Sequence, residues 1–98
     1  MSVSPDTGER DRQVYTTSSE AFSLAQAFVT GQGQMELESR AQQLNELLDR
    51  QWASLEDQPS DDPGVTRAWS DARLDVGYVL SQGELPTSPR LNQFSNER

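Results

Sequence analysis

The sequence predicts an all-α fold: a three-helix domain built on a long antiparallel helical hairpin, with flexible N- and C-terminal tails. Three observations carry the prediction. From Met35 to Leu55, the residues Leu37, Ala41, Leu44, Leu48 and Leu55 recur at spacings of 4, 3, 4 and 7. That is the period of one helix face, and no Gly or Pro interrupts it. Further on, Val65, Trp69, Ala72, Val76 and Val79 step by 4, 3, 4 and 3, a second heptad stripe, with Ala68 and Leu80 beside it. Between the two stripes lies EDQPSDDPG, the clearest break in the chain.

In chain order, residues 1–16 read as a disordered leader. Pro5, Gly8 and alternating charges break any period, and Val3, Val14 and Tyr15 are the sizeable apolar groups there. Tyr15 is expected to rest loosely on the first helix. That helix is expected over 18–30. Thr17-Ser18-Ser19-Glu20 matches a capping box, in which the Thr hydroxyl takes the N3 amide and the Glu reaches back. Ala21, Phe22, Ala25, Phe28 and Val29 make its apolar face, Leu24 flanks it, and Gly31 or Gly33 ends it in the left-handed conformation. So short a helix is marginal without packing.

The long helix is expected over 34–57. Glu36→Arg40 and Glu46→Arg50 are i,i+4 pairs in the favourable order, worth about 0.2–0.5 kcal/mol each. Gln51 stands where the next stripe residue belongs, and Trp52 is expected to cover that turn. Pro59 stops the helix; Asp61 or Asp62 caps the third helix, expected over 63–82 with Pro63 at its first position. A connection this short makes the flanking helices antiparallel neighbours.

Gly77 lies inside the third helix at a cost of about 1 kcal/mol relative to Ala and is expected to admit the long helix closely, opposite Ala41 or Leu44. Leu74 and Tyr78 form a second apolar edge, which the first helix covers in a three-helix domain. Gly83 is placed as the residue just past the third helix, and Pro86 prevents resumption. Residues 84–98 read as tail, with Leu91 and Phe94 the pair able to form a docking turn. The alternative architecture is a hairpin that dimerises into a four-helix bundle.

Ninety-eight residues allow one domain. The hydrophobic fraction, 33% without Gly, is below the usual value of about 45–50%, which counts Gly; the 6 Gly of this chain do not close the gap. Part of the chain is therefore expected to be tail, or part of its surface to be completed by a partner. Net charge is −8, from 16 acidic residues against 8 arginines. Lys, His, Cys and Ile are absent. Arg without Lys, together with no Ile, is the codon usage of a GC-rich genome and points to a bacterial or phage origin. Without Cys there is no disulfide and no thiolate chemistry. No apolar run approaches the ~18 residues of a membrane span, and the N-terminus lacks the charged-then-apolar pattern of a cleaved signal. The expected location is cytoplasmic. A Ser- and Thr-rich leader serving as an uncleaved secretion signal is the alternative.

Nucleophile–base arrangements need Cys or Ser with His, or Lys. Every Asp and Glu is expected on a solvated helix face or in a loop, which leaves no inward carboxylate pair for acid–base work. The expectation is a non-enzyme with no cofactor and no metal. Asp57, Asp61 and Asp62 do not match a calcium loop and read as caps and solubilising groups.

Eleven acids against four arginines lie between Thr17 and Gly83, so the acidity belongs to the expected folded body. A negative body disfavours direct nucleic-acid binding. The leading expectation is a small acidic helical protein–protein interaction module, an adaptor or inhibitor. Its candidate partner-binding residues are Glu46, Asp49, Trp52, Trp69, Asp71, Leu74, Asp75 and Tyr78. Trp52 and Trp69 lie five and six residues from the break and should meet near the turn, as a paired core or with one indole exposed as an anchor. The alternative is a nucleic-acid-mimicking inhibitor or antitoxin. Its acids (Glu36, Glu38, Glu46, Asp49, Glu56, Asp57, Asp61, Asp62, Asp71 and Asp75) would occupy a basic groove on a nucleic-acid-binding protein. A second alternative is an assembly subunit of a larger particle.

Overall fold

The computed structural model describes residues 5–31 and 33–91. It contains three packed helices and, among the described residues, no strand. α1 spans Pro5–Val29, α2 spans Gln34–Asp57 and α3 spans Pro63–Leu80. The chain runs up, down and up. Arg10, near the start of α1, reaches Ser54 and Gln58 at the end of α2. Trp69 of α3 bonds to Leu48 in the middle of α2. α1 and α3 run parallel, with Tyr15 beside Asp62 at one end and Phe28 against Tyr78 at the other. The body measures 49 × 26 × 17 Å, so it is elongated along the helices.

The two expected stripes face inward. Ala41, Leu44, Leu48 and Leu55 of α2 are buried, as are Val65, Ala68, Ala72, Val76 and Val79 of α3. The interior falls into two apolar clusters. The lower one joins Val14, Leu55, Val65 and Ala68; the upper one is built on Ala21, Leu24, Ala25, Ala41, Leu44, Leu48, Ala72, Val76, Val79 and Leu91. Burying one such Val or Leu is worth about 1.5–3 kcal/mol. Trp69 packs against both clusters.

The leader expected over residues 1–16 is instead helical from Pro5. Pro is tolerated in a first turn, and the roughly 1 kcal/mol penalty of Gly8 is outweighed by what the helix buries. Val14 is fully buried, and Arg10 is 8% exposed. The stripe of α1 runs Val14, Thr17, Ala21, Leu24, Phe28, straight through the expected cap. Thr17 therefore sits inside the helix, where its Oγ1 donates to Gln13 O at 2.8 Å. Helix-forming tertiary contacts have overridden a local capping signal.

The ends of α2 and α3 follow the sequence more closely. Gly31 and Gly33 take positive φ angles of 79° and 51° between α1 and α2. Asp62 caps α3, accepting from Gly64 N at 2.9 Å, with Pro63 next. α3 ends at Leu80, two residues before the expected limit, because a Schellman motif closes it there. Gly83 N donates to Tyr78 O at 2.8 Å and Gln82 N to Val79 O at 3.1 Å. Gln82, rather than Gly83, holds the first left-handed position, at φ 59°, with Gly83 following at 85°.

Gly77 does not meet α2. The nearest atom to a Cβ placed there would be Leu85 Cδ1, at 3.7 Å. That contact comes from the segment expected to be a flexible tail. Residues 84–91 in fact return to the bundle: 89–91 form a helical turn, Ser88 is fully buried and Leu91 is 1% exposed in the upper cluster. Phe94, its expected companion in docking, lies outside the described residues.

Candidate functional site

The eight candidate partner-binding residues fall into separate environments. On α2, Asn45, Asp49, Trp52 and Glu56 follow one another at helical spacing along the edge that borders α3. Asn45 Oδ1 accepts from Arg73 Nη1 across that border. Trp52 stacks on Trp69 with ring centroids 4.5 Å apart and planes 30° from parallel. Trp69 is held in turn, its Nε1 donating to Leu48 O at 2.8 Å. Trp69 is half-buried, whereas Trp52 remains 38% exposed. The two indoles therefore meet at the hairpin turn, with that of Trp52 reaching water.

Glu46 and Asp49 are exposed on the same helix. The expected Glu46–Arg50 and Glu36–Arg40 pairs do not form ion pairs; among the described residues these are Arg10–Asp11 and Arg90–Asp75. Beside Trp52 lies a shallow groove of about 240 Å³ lined by Trp52, Leu55, Glu56, Pro59, Ser60 and Thr66. It opens at the α2–α3 turn, and α1 contributes nothing to its lining.

The other candidates lie elsewhere. Asp71 is half-buried in the cleft between α1 and α3, near Tyr15, Phe22, Arg67 and Arg90. Leu74 is 37% exposed and borders Gly77, Leu85 and Pro86. Tyr78 meets Phe28 edge-on, with centroids 5.4 Å apart, so α1 covers that half of the second apolar edge.

Asp75 does not lie on the solvated face expected for it; it is fully buried. Its Oδ1 accepts from Ser88 N at 3.1 Å and Ser88 Oγ at 2.7 Å. Its Oδ2 accepts from Arg90 Nε at 3.2 Å and Nη2 at 2.9 Å. Arg90 then reaches Ser18 Oγ and Ser18 O, each at 2.9 Å, and lies 4.8 Å from the Phe22 ring centroid. Burying a carboxylate without partners is costly, and these bonds offset that cost. Four donors leave it no lone pair directed at a substrate, so it works as a staple joining α3, α1 and the C-terminal segment. The signal was present in the spacing: Asp75 stands three residues after Ala72 and four before Val79, on the buried stripe. Its cationic partner lay in a stretch read as tail.

Arg10 is the second staple, and it is not among the residues that the sequence singles out. Its Nη1 donates to Ser54 O at 3.1 Å, Ser54 Oγ at 3.2 Å and Gln58 O at 2.7 Å. A cation is favourable at this negative end of α2. Its Nε donates to Asp11 Oδ1 at 3.1 Å. Nη2 also sits 3.0 Å from that oxygen but off the hydrogen-bonding direction, and is buried without a hydrogen-bond acceptor among the described residues. Asp11 Oδ2 accepts from Ser60 Oγ at 2.8 Å, and Tyr15 OH donates to Asp62 Oδ2 at 2.8 Å. The first turns of α1 are thus tied to the α2–α3 loop. The hydrogen bond to Asp62 raises the Tyr15 phenol above its ordinary value, with burial and the charges of Asp62 and Asp11 adding to it.

Among the described residues no group of three or more His, Cys, Asp or Glu side chains converges to hold a metal ion, and no helix is long and apolar enough to cross a membrane. No protein-family model, no curated protein and no solved structure matches this chain.

Proposed function

We propose that this chain is a non-enzymatic interaction module, an adaptor or inhibitor of bacterial or phage origin acting in the cytoplasm. It binds another protein through the α2–α3 face centred on Trp52. The observation that carries the reading is the half-exposed indole of Trp52, held by its stack on Trp69. An aromatic group already fixed in place gives up little conformational freedom on binding, and buried Trp is enriched among residues that dominate interface energies. Glu46 and Asp49 on the same helix supply a charged margin that steers the partner and limits which partners fit.

The observation favouring the nucleic-acid-mimicking alternative is the fate of the arginines. Arg10 and Arg90 are spent on internal contacts, so Glu36, Glu38, Glu46, Asp49, Glu56 and Asp57 stand exposed along α2 with less positive charge opposing them.

Salt and substitution separate the two readings. The partner is captured from the native host and identified by mass spectrometry, and its affinity is then measured with purified components. On the anchor reading, Trp52→Ala weakens binding at least about tenfold while the helical circular-dichroism signal persists. Replacing Glu46 with Gln and Asp49 with Asn then lowers affinity less than about threefold. On the mimicry reading the double neutralisation is the larger effect, and affinity collapses between low and moderate salt. A partner indifferent to Trp52→Ala overturns the proposal.

A further inference from the structure

We infer, resting on the interaction reading above, that the groove beside Trp52 takes the side chain of an arginine presented by the partner. Its volume of about 240 Å³ is below the ~300–1,000 Å³ of small-molecule pockets and suits one extended side chain. Leu55 and Pro59 supply apolar walls, and the part of the Trp52 indole that Trp69 leaves free lines the same space. The polar groups decide the occupant. The Ser60 hydroxyl is committed, donating to Asp11 and accepting from Asp62 N. Glu56 is exposed, has no ion-pair partner among the described residues and is the charged group of the lining.

The electrostatics point the same way. Glu56 and Asp57 lie in the last turn of α2, where the helix's own carbonyls gather negative charge, and that turn contains no basic residue. Arg10 answers the carbonyls of Ser54 and Gln58 from the α1 side, but it is buried and does not line the groove. Asp49 and Glu56 also stand one turn before and one turn after Trp52, so carboxylates flank the indole on both sides along the helix. An apolar side chain entering here would strip water from Glu56 without replacing it. A guanidinium answers both features: its plane stacks on the indole while its N–H fork serves the carboxylate. Lysine offers a point charge that holds its water more tightly and cannot do both as well.

The test uses the full chain, isotope-labelled, and two blocked glycine peptides. One carries a single arginine; the other carries citrulline in its place, which keeps the shape and drops the charge. The two indole N–H signals are followed by NMR at low ionic strength. The Trp52 signal should move saturably with the arginine peptide, while that of Trp69, bonded to Leu48, moves little. The citrulline peptide should bind at least about fivefold more weakly. Glu56→Gln should weaken arginine binding by a similar factor, and Glu38→Gln, on the same helix but far from the groove, should not change it. Equal response to the two peptides, shifts spread evenly over the acidic surface, or no shift at Trp52 overturns the arginine site. If the peptides fail while Trp52→Ala still releases the native partner, the occupant is wrong and the interaction face stands. If Trp52→Ala also leaves that partner bound, the face itself falls.

Discussion

Gln51 stands on the inner stripe of α2 at a position where helical spacing calls for a leucine, and it is 4% exposed. Its Nε2 donates to Thr17 Oγ1 at 3.0 Å, forming a polar seam between the two apolar clusters, while its Oε1 has no partner among the described residues. Sliding α1 along α2 would leave both ends of this amide unpaired, so the seam sets the register of that helix pair. The specificity has a stability penalty. Gln51→Met should raise the free energy of unfolding by about 1 kcal/mol, because the orphaned oxygen disappears while Thr17 keeps its bond to Gln13. Urea denaturation measures this, and a loss would show that the amide bond outweighs the orphan. Tyr15 yields a prediction in pH. Its folded-state value is raised, so its contribution to stability is complete below the unfolded value of about 10. That contribution is lost as pH climbs through the raised folded value. In a Tyr78→Phe background, ultraviolet titration should find Tyr15 above its ordinary value. Asp62→Asn, which can still cap α3, should bring it back down.

At the scale of elements, the informative parts are those that first resembled tails. The early turns of α1 insert Val14 into the lower cluster and deliver Arg10 to the end of α2. Deleting residues 1–16 should therefore remove about 1.5–3 kcal/mol for the buried valine and a comparable amount for the charge-assisted bonds. Against the roughly 5–15 kcal/mol that holds a domain of this size, the truncated chain should show a markedly lower thermal midpoint by circular dichroism. An unchanged midpoint would restore the leader reading. The C-terminal segment is held by Leu91 and by the Asp75–Arg90 staple. Asp75→Asn keeps an acceptor for Ser88 but leaves Arg90 without its counter-charge. The expected loss is roughly 2–3 kcal/mol, less than for a wholly buried pair because Arg90 is partly in water.

For the whole molecule, close helix packing and internal cations hold the three helices together. Ala21, Ala25, Ala41, Ala68 and Ala72 are buried, so small side chains let the three helices approach closely. Arginine staples, rather than further apolar residues, secure the two ends. α1 also takes the place beside the α2–α3 hairpin that a two-fold partner would need in order to build a four-helix bundle. The chain should accordingly sediment as a single copy of 11.0 kDa, and a species of twice that mass would revive the dimeric bundle. What remains outside is a negative surface on which Trp52 is one of several exposed apolar groups, with Tyr15, Met35, Leu74 and Leu85 among the others; the functional proposal rests on Trp52 because Trp69 holds it in place.

The sequence by itself determined α2, the start of α3 at Asp62 and Pro63, and the meeting of Trp52 with Trp69. Helical period, proline stops and a short reversal are local signals, and one hairpin suffices to express them. Of the eight partner-binding candidates, Glu46, Asp49 and Trp52 are exposed on α2. Only the tertiary structure decided that α1 begins at Pro5, that Asp75 turns inward, and that Arg10 and Arg90 are internal cations. Those outcomes depend on partners distant along the chain, 44 residues apart for Arg10 and Ser54 and 72 for Ser18 and Arg90. A charged residue looks solvated until the group that neutralises it is brought alongside. No periodicity within one helix records where another segment will supply the opposite charge.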